Sequence, residues 1–241
     1  MPKDKLFRKK RRVLSDFDFG KRTAEVFDDM LGRSVPGYAE VQRMIGEIAS
    51  DFAVDGTNLY DLGCSTCTTF LALDKSVEKG VRFVGIDASQ EMLNHARSKL
   101  AKAQFVRDHE LIQTDLNEGV RITDASVVIL NLTLQFVRPL YRQQLIRSIV
   151  QGMREQGCLI LVEKVIPRAS MLNRLFIKYY YAFKQRQGYS QLEIAQKREA
   201  LENVLVPYRL EENMELLRNS GFSHCEVFFK WYNFCGLLAI K

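Results

Sequence analysis

Long apolar runs are missing from this sequence, and none approaches the roughly 18 residues that a membrane-spanning helix needs. The basic N-terminus is followed by no apolar stretch, so we expect no secretory signal there. There is no internal repeat and, beyond the basic N-terminus, no low-complexity segment. With 46% hydrophobic and 27% charged residues over 241 positions, the composition is typical of one globular α/β domain with additions.

Cysteine and histidine are also few. The five cysteines lack the even number and spacing of a disulfide framework, which favours a reducing compartment, and we expect a cytoplasmic protein. Cys64 and Cys67 form one C-x-x-C pair, which leaves a redox disulfide or half of a zinc site as alternatives. No second pair stands at metal spacing, and the three histidines (His95, His109, His224) form no ligand cluster. We therefore predict no metal site.

A charge excess is missing from the body of the chain. The chain has 35 basic and 29 acidic side chains. The first twelve residues contain seven of the basic side chains and one of the acidic ones, so the rest of the chain has 28 of each. The whole net charge of +6 therefore lies in this N-terminal segment. We predict a basic, flexible leader at residues 1–16 and a single domain at 17–241. The leader is either solvated or in contact with nucleic acid or an anionic surface. The neutral body gives no sign of a nucleic-acid groove.

Strands alternate with helices in the first part of that domain, which predicts a parallel sheet with right-handed crossovers. The predicted strands are 58–62, 82–87, 109–114, 125–130 and 158–163. Helices at 23–31 and 38–52 form an N-terminal cover, and a helical insertion lies at about 170–205. A helix at 210–220 and two strands at 224–231 and 233–240 complete the fold as an antiparallel hairpin. The predicted class is α/β, with a Rossmann-like seven-stranded, mostly parallel sheet.

Polar residues follow these strands where they end. Residues 58–69 (NLYDLGCSTCTT) indicate a strand that leaves the sheet through a tight turn at Gly63 into a helix N-terminus, where free backbone N–H groups can bind a ligand. Asp87 can accept both hydroxyls of a ribose, Asp115 can bind an adenine edge, and Asn131 can bridge ligand and backbone. A single acid at a strand end is usually a cap or solvated. Several together in one sheet favour a nucleoside site beyond the carboxyl ends of the strands.

Longer motifs add a resemblance to a known family. They are residues 33–38 (RSVPGY), 130–136 (LNLTLQF), 188–198 (GYSQLEIAQKR), 201–203 (LEN) and 231–234 (WYNF). Together with the strand-end motifs they resemble the carboxy-S-adenosyl-L-methionine synthase family, within the class I S-adenosyl-L-methionine-dependent methyltransferase superfamily. The resemblance runs from about residue 17 to the C-terminus, and its late helical block is more specific than the sheet motifs.

The resemblance implies a reaction of S-adenosyl-L-methionine and prephenate that gives carboxy-S-adenosyl-L-methionine and phenylpyruvate. The product would supply a partner enzyme that carboxymethylates the wobble uridine of certain tRNAs, without direct tRNA binding by this chain. It also implies a homodimer. Contacts to S-adenosyl-L-methionine would come from Tyr38, Gly63, Cys64, Ser65, Asp87, Ala88, Asp115, Leu116, Asn131 and Arg198. Of these, Tyr38 and Arg198 would also take part in the reaction.

Arg198 matches the arginine that binds the extra carboxylate in the family, and it could act within its own subunit or across the dimer. Read from the sequence alone, it is a surface charge on a helix. Tyr38 alone reads as a turn residue packed on the helical cover. The aromatic run 179–183 could close the site to water or simply pack in the core or at a dimer interface. Cys67 stands where the family has a second glycine in the turn, which puts the conformation of the turn in doubt.

Two other functions compete with this interpretation. An ordinary methyltransferase acting on a small molecule or RNA would use the same strand-end residues but release S-adenosylhomocysteine. A non-catalytic protein that kept the fold and bound RNA through its leader would be favoured by loss of the cofactor acids. Asp87, Asp115 and Asn131 are all present.

Overall fold

The structure is a computed structural model that describes residues 2–10, 15–78 and 80–241. Seven strands form one sheet, and eight α-helices surround it. The strands are β1 (Asn58–Leu62), β2 (Arg82–Asp87), β3 (His109–Gln113), β4 (Ala125–Asn131), β5 (Met153–Lys164), β6 (His224–Trp231) and β7 (Phe234–Ile240). The helices are α1 (Lys21–Ser34), α2 (Tyr38–Phe52), α3 (Thr68–Leu73), α4 (Gln90–Lys102), α5 (Pro139–Gly152), α6 (Ser170–Arg186), α7 (Gln191–Leu201) and α8 (Leu210–Ser220).

The strand order across the sheet is β3-β2-β1-β4-β5-β7-β6. Strands β1 to β5 pair in parallel, and β7 runs antiparallel to both of its neighbours. The order reverses between β1 and β4, which creates a crevice beyond their carboxyl ends. The seven-stranded, mostly parallel sheet with an antiparallel C-terminal hairpin is therefore confirmed.

The central strands are apolar along almost their whole length because helices cover both faces of the sheet. Leu62, Val128 and Leu130 belong to one buried cluster with α5 and α8, whereas Leu59 and Val127 belong to another with α2, α3 and α4. Alternate residues of one strand thus enter different layers of the core. This packing fixes the register of β1 and β4, and with it the positions of the polar residues where they end.

Most predicted boundaries differ from the structure by a few residues, but β5 begins five residues earlier than predicted. Met153 pairs with Ala125 and Cys158 pairs with Val127, and the register shifts between these two pairs. Gln156 adopts a φ of +62° in the irregular stretch. The stretch 154–157 (REQG) is polar and ends in glycine, so its sequence resembles a loop although the chain stays extended.

The start of the leader packs on the domain. The backbone N–H of Asp4 donates to Asp29 in α1, and the Tyr189 hydroxyl donates to the Asp4 carboxylate at 2.6 Å. Gln196 of α7 donates to the Phe7 carbonyl at 2.8 Å. Asp4 and Phe7 are buried, so the expectation of a solvated leader is wrong for these two residues. Its basic residues at 11 and 12 lie outside the described residues.

Candidate active site

A cavity of about 370 Å³ lies beyond the carboxyl ends of β1, β2 and β4. Side chains of α1, α2, α6 and α7 close its other side, so the predicted helical cover and the late insertion both contribute to the site. Of the ten predicted contact residues, nine line this cavity: Tyr38, Gly63, Cys64, Ser65, Asp87, Ala88, Asp115, Leu116 and Asn131. Arg198 is not among the lining residues.

The turn after β1 depends on Gly63. Its φ is +77°, a region that residues with a side chain rarely adopt. A Cβ at this position would lie 2.4 Å from the Thr133 hydroxyl oxygen and 2.5 Å from its methyl carbon. The glycine therefore lets the turn approach the loop after β4, which narrows the crevice at the reversal point of the sheet.

Cys67 keeps the backbone conformation that the resemblance led us to expect of a glycine. Its φ is +56° and its ψ +35°, in the left-handed region, immediately before α3. A left-handed conformation costs an L-residue about 1–2 kcal/mol, and the burial of the Cys67 side chain in the core offsets that cost. Cys64 and Cys67 are both buried, free thiols. A hydrogen bond to Cys67, together with burial, raises the pKa of Cys64, which keeps it protonated.

Asp61 is a deeply buried acid of the site. It is 2% exposed, and its Oδ2 has no hydrogen-bond partner among the described residues. Burial, with a smaller effect of the Asp87 charge, raises the pKa of Asp61 to about 7. A buried carboxylate with an unsatisfied oxygen is a strong attractor for a cationic ligand group.

Asp87 is held in place by backbone groups on either side of the crevice. Its Oδ2 accepts from the Ser65 N–H at 2.9 Å, and its Oδ1 accepts from the Ser89 N–H at 2.8 Å. Ser89 also caps α4, because its side chain accepts from the Met92 N–H. Burial raises the pKa of Asp87 above its ordinary value despite these hydrogen bonds. The carboxylate is half-buried and the following Ala88 is exposed, an arrangement suited to a pair of hydroxyl donors at the cavity wall.

The remaining strand ends supply an acid and an amide. Both hydrogen bonds of the Asp115 carboxylate, from the N–H and the side chain of Asn117, go to Oδ1. Leu116 lies at the start of a short 3-10 turn after Asp115. The buried Oδ1 of Asn131 has no hydrogen-bond partner in the described part of the chain. Both residues therefore keep an acceptor available for a ligand.

Tyr38 enters the cavity from the first turn of α2. Its hydroxyl accepts from Gln42 Nε2 at 2.9 Å, and the same amide lies 3.3 Å from the Thr69 hydroxyl in α3. Burial raises the pKa of Tyr38, so the phenol is neutral and can donate one hydrogen bond. Gly37, in the left-handed region with a φ of +66°, starts the helix.

The opposite end of the cavity is cationic and aromatic. Lys164, at the end of β5, and Lys197, on α7, both line it together with Tyr180 of α6. The Lys164 ammonium lies 4.7 Å from the centre of the Tyr180 ring. Burial lowers the pKa of each of these lysines to about 8. Of the aromatic run 179–183, Tyr180 therefore contributes to the cavity, whereas Tyr179 and Phe183 pack on the hairpin of β6 and β7.

Arg198 follows Lys197 on α7 but is exposed and does not line the cavity. The structure thus separates two neighbouring cations: Lys197 belongs to the cavity of its own chain, and Arg198 does not. Glu163 and Lys164 are separated in a similar way: Lys164 lines the cavity and Glu163 does not, because successive side chains of a strand point to opposite faces of the sheet. Glu163 lies near Arg142 below the cavity, and burial raises its pKa to about 8.

Sequence reasoning recognised Asp61 and Lys164 as polar residues at strand ends but predicted no ligand contact for them, and it missed Lys197 altogether. Asp61 stands in the turn motif and Lys164 at a strand end, so their places along the chain were visible. Their burial and pairing were not. Lys197 gave no signal, because on a helix with several charged residues only the orientation in the fold distinguishes the cavity side from the solvent side.

Comparisons with known proteins identify the family. A carboxy-S-adenosyl-L-methionine synthase from Methylococcus capsulatus (strain Bath) is 57% identical over 242 residues, an alignment that covers 100% of both chains. This chain belongs to the carboxy-S-adenosyl-L-methionine synthase family. A second synthase of that name, from Sulfurimonas denitrificans, is 45% identical over 99% of both chains. The family model of a methyltransferase domain also matches residues 59–157, which hold β1 to β4 and the strand-end motifs.

Solved structures of other methyltransferases share the fold of this synthase family member. A SAM-dependent methyltransferase from Aquifex aeolicus has a TM-score of 0.60 at 15% identity, covering 93% of this chain and 99% of that one. Human N-acetylserotonin methyltransferase, solved in complex with SAM, has a TM-score of 0.59 at 15% identity, covering 91% and 55%. These likenesses establish the class I methyltransferase fold and no more.

The cavity of this synthase family member fits S-adenosyl-L-methionine by its own chemistry. That molecule carries an ammonium and a sulfonium as well as two ribose hydroxyls. The unsatisfied buried oxygen of Asp61 matches a cation, and the anchored carboxylate of Asp87 matches a pair of hydroxyls. The residues present can therefore bind this substrate.

Proposed function

We propose that this chain converts S-adenosyl-L-methionine and prephenate to carboxy-S-adenosyl-L-methionine with release of phenylpyruvate. The observation that carries the proposal is the full-length 57% identity with the Methylococcus capsulatus synthase. The cavity supports it, because acids stand at one end and lysines at the other. S-adenosyl-L-methionine and an anionic second substrate could thus bind side by side.

Each strand-end residue has a role in this proposal. Asp87 binds the ribose hydroxyls, Asp115 and the N–H of Leu116 bind the adenine, and Asn131 bridges ligand and backbone. Asp61 pairs with the ammonium of the methionine part. Gly63, Cys64, Ser65 and Ala88 form the wall along the nucleoside, where a side chain at Gly63 would collide with Thr133.

The other end of the cavity must keep water away from the reacting sulfonium methyl. Tyr38 and Tyr180 line the cavity from two helices, and the neutral Tyr38 phenol can hold a substrate oxygen by hydrogen bonding. Arg198 binds the carboxylate gained by the product. Because Arg198 does not line the cavity of its own chain, we place it in the site of a second subunit.

A homodimer is part of the proposal for this reason. Exposed apolar side chains on α6 and in the turn between β6 and β7 offer an interface: Met171 is 66%, Tyr179 37% and Tyr232 42% exposed. Of these, Tyr179 and Tyr232 are in contact, with ring centres 5.0 Å apart, and exposed apolar patches are common at association sites. We further propose that the product passes to a cytoplasmic tRNA carboxymethyltransferase, with no tRNA binding by this chain. No helix in the described ranges is long and apolar enough to cross a membrane.

Mass spectrometry of the products tests the reaction. The purified protein is incubated with S-adenosyl-L-methionine, with and without prephenate. We expect a nucleoside heavier by the mass of carbon dioxide, in step with phenylpyruvate, only when prephenate is present. An Asp87→Asn variant serves as the control for a disabled nucleoside site. Release of S-adenosylhomocysteine with methylation of an added RNA, and no carboxylated nucleoside, would instead identify an ordinary methyltransferase.

A further inference from the structure

Three lysines from three different elements meet around Tyr180 and Tyr189. Lys164 of β5 and Lys197 of α7 line the cavity, and Lys184 of α6 lies behind them without lining it. The Lys184 ammonium is 5.5 Å from the Tyr180 ring centre and 5.3 Å from that of Tyr189. We call these three residues the lysine cluster.

The polar contacts of the two cavity lysines are weak. Lys197 donates to the Ser34 hydroxyl at 3.3 Å and lies 5.8 Å from the Tyr189 ring centre. Lys164 has the Tyr180 ring at 4.7 Å. Over residues 2–10, 15–78 and 80–241, neither ammonium forms an ion pair with a carboxylate. Their charges are therefore available for a ligand.

Nearby carboxylates already have other partners. Asp29 accepts from the Arg33 guanidinium at 2.8 Å. Asp4 accepts from the Tyr189 hydroxyl at 2.6 Å and from the Leu6 N–H at 3.1 Å. The Asp4 charge favours protonated Lys197 from a distance, whereas Arg33 and Lys164 oppose it. The balance around the cluster is an excess of positive charge.

Buried ammonium groups without a counter-ion are costly, and the cost falls when an anion binds between them. Burial, with a smaller effect of the charges of Lys197 and Lys164, lowers the pKa of Lys184 to about 7. Next to Lys164 and Lys197, the cavity wall is apolar, with Val35, Leu201 and Phe234. A small ligand with an apolar body and two carboxylates would satisfy both features.

We infer that Lys164 and Lys197 bind the two carboxylates of the second substrate, a small dicarboxylic acid with an apolar ring or chain. That this acid is prephenate rests on the proposed function; that the cavity binds a dicarboxylate at these two lysines rests on their geometry. Tyr180 orients both groups, since its ring contacts Lys164 while its hydroxyl donates to the carbonyl of Ser34, whose own hydroxyl binds Lys197.

Charge removal tests the assignment, with Lys184 as the matched control. Methionine keeps much of the length of a lysine stem, so the test variants are Lys164→Met and Lys197→Met, and the control is Lys184→Met. Each variant is titrated calorimetrically with prephenate in the presence of S-adenosylhomocysteine, which has no transferable methyl and permits no reaction. The affinity for S-adenosylhomocysteine is measured in the same series, and thermal unfolding shows that each variant is folded.

For Lys164→Met and Lys197→Met we expect the Kd of prephenate to rise at least tenfold, with the Kd of S-adenosylhomocysteine changed less than twofold. The control should bind prephenate within about threefold of the wild type. Lysine-to-arginine variants at 164 and 197 should recover part of the affinity if charge is what matters. A variant that fails to fold is replaced by its arginine counterpart, whose geometry tests the same contact.

The outcomes separate this inference from the proposed function. Unchanged prephenate binding in both test variants would overturn the inference even if the wild type makes carboxy-S-adenosyl-L-methionine. Equal loss in the control and the test variants would also overturn it, because a structural role predicts that pattern. If the wild type binds prephenate through these lysines but forms no carboxylated product, the inference stands and the proposed function fails. If the wild type binds neither prephenate nor malonate, a simpler dicarboxylate, the lysines have no dicarboxylate role.

Discussion

Asp61 shows how a single residue can couple substrate binding to pH. Its carboxylate is buried, and one oxygen lacks a partner in the described structure. The nearby Asp87 charge adds to the effect of burial, so the pKa of Asp61 is about 7. A substrate ammonium would favour the ionised form, which means that binding below pH 7 must first remove a proton.

We predict that Asp61→Asn raises the Kd of S-adenosyl-L-methionine roughly 10- to 100-fold, since a hydrogen bond to a charged group contributes about 1.5–3 kcal/mol. In the wild type, affinity should weaken as the pH falls below about 7, whereas the variant should show little change between pH 6 and 8. Isothermal titration across this range measures both. The exposed Asp108→Asn is the control. A wild-type affinity that is flat across the range would contradict the role of Asp61.

The same group affects the stability of the ligand-free protein in the opposite sense. Because the folded-state pKa of Asp61 is raised above its ordinary value of 3.8, the protonated form favours folding. Its contribution is complete below about pH 4 and is lost as the pH rises through 7. At pH 8, Asp61→Asn should therefore have a higher free energy of unfolding than the wild type without ligand, as measured in urea. A lower free energy of unfolding in the variant would show that this buried position accommodates an asparagine amide no better than an ionised carboxylate.

At the scale of elements, α1 is tied to the cofactor turn and to α4 through Asp28. Its carboxylate accepts from Lys99 at 2.6 Å and from Thr66 and Thr68 at 2.5 and 3.1 Å. Burial acts to raise the pKa of Asp28, but these hydrogen bonds bring it below the ordinary value. Three elements that surround the nucleoside end of the cavity thus share one anion.

Removing Lys99 should loosen this connection. We predict that Lys99→Met lowers the free energy of unfolding by about 1–2 kcal/mol at pH 7; removal of a partner from a fully buried pair costs more, but these side chains are 25% and 19% exposed. Urea unfolding measures the change, and the exposed Lys102→Met on the same helix is the control.

The loss should depend on pH in a defined direction. The pKa of Asp28 is lowered, so its stabilising contribution in the wild type is present above about pH 4 and disappears as the pH falls through the lowered value. In the variant, Asp28 loses a cation and should protonate at a higher pH. The difference between variant and wild type should therefore shrink between pH 7 and pH 4.5. An equal difference at both values would assign the loss to packing of the lysine stem instead.

At the scale of the whole molecule, the exposed position of Arg198 is the observation behind the proposed homodimer. A residue that binds a product carboxylate must reach a cavity, and Arg198 does not line the cavity of its own chain. Two copies of the chain could exchange α7 contacts so that each completes the site of the other. This is the physical reason to treat the dimer as part of the active site in the proposal.

Subunit mixing tests that arrangement. Arg198→Ala and Asp87→Asn homodimers should each lose most carboxy-S-adenosyl-L-methionine synthesis. If Arg198 acts across the interface, a heterodimer of the two variants contains one site with both wild-type residues and should recover up to half of the wild-type activity. Tagged heterodimers, purified after co-expression, are assayed by mass spectrometry. If they stay inactive, Arg198 acts within its own chain or not at all; full activity of Arg198→Ala alone would remove its role.

The sequence by itself determined the sheet and the nucleoside end of the site. Short apolar runs in the sequence predict the buried strands. Residues that follow the carboxyl ends of buried parallel strands lie at the crevice where ligands bind. Gly63, Asp87, Asp115 and Asn131 were therefore predictable, and all four line the cavity. The longer motifs added the resemblance to the synthase family, which neither the hydrophobic periodicity of the elements nor the spacing of single polar residues indicates.

Only the tertiary structure decided which side chains face one another across elements. Lys164, Lys184 and Lys197 lie on a strand and two helices, and no sequence pattern shows that their ammonium groups converge. The burial of Asp4 depends on contacts with residues more than 180 positions away. The net charge around a cavity depends on which side chains the fold brings together. For Asp61 and the lysine cluster, the fold also removes the water that would otherwise solvate these groups.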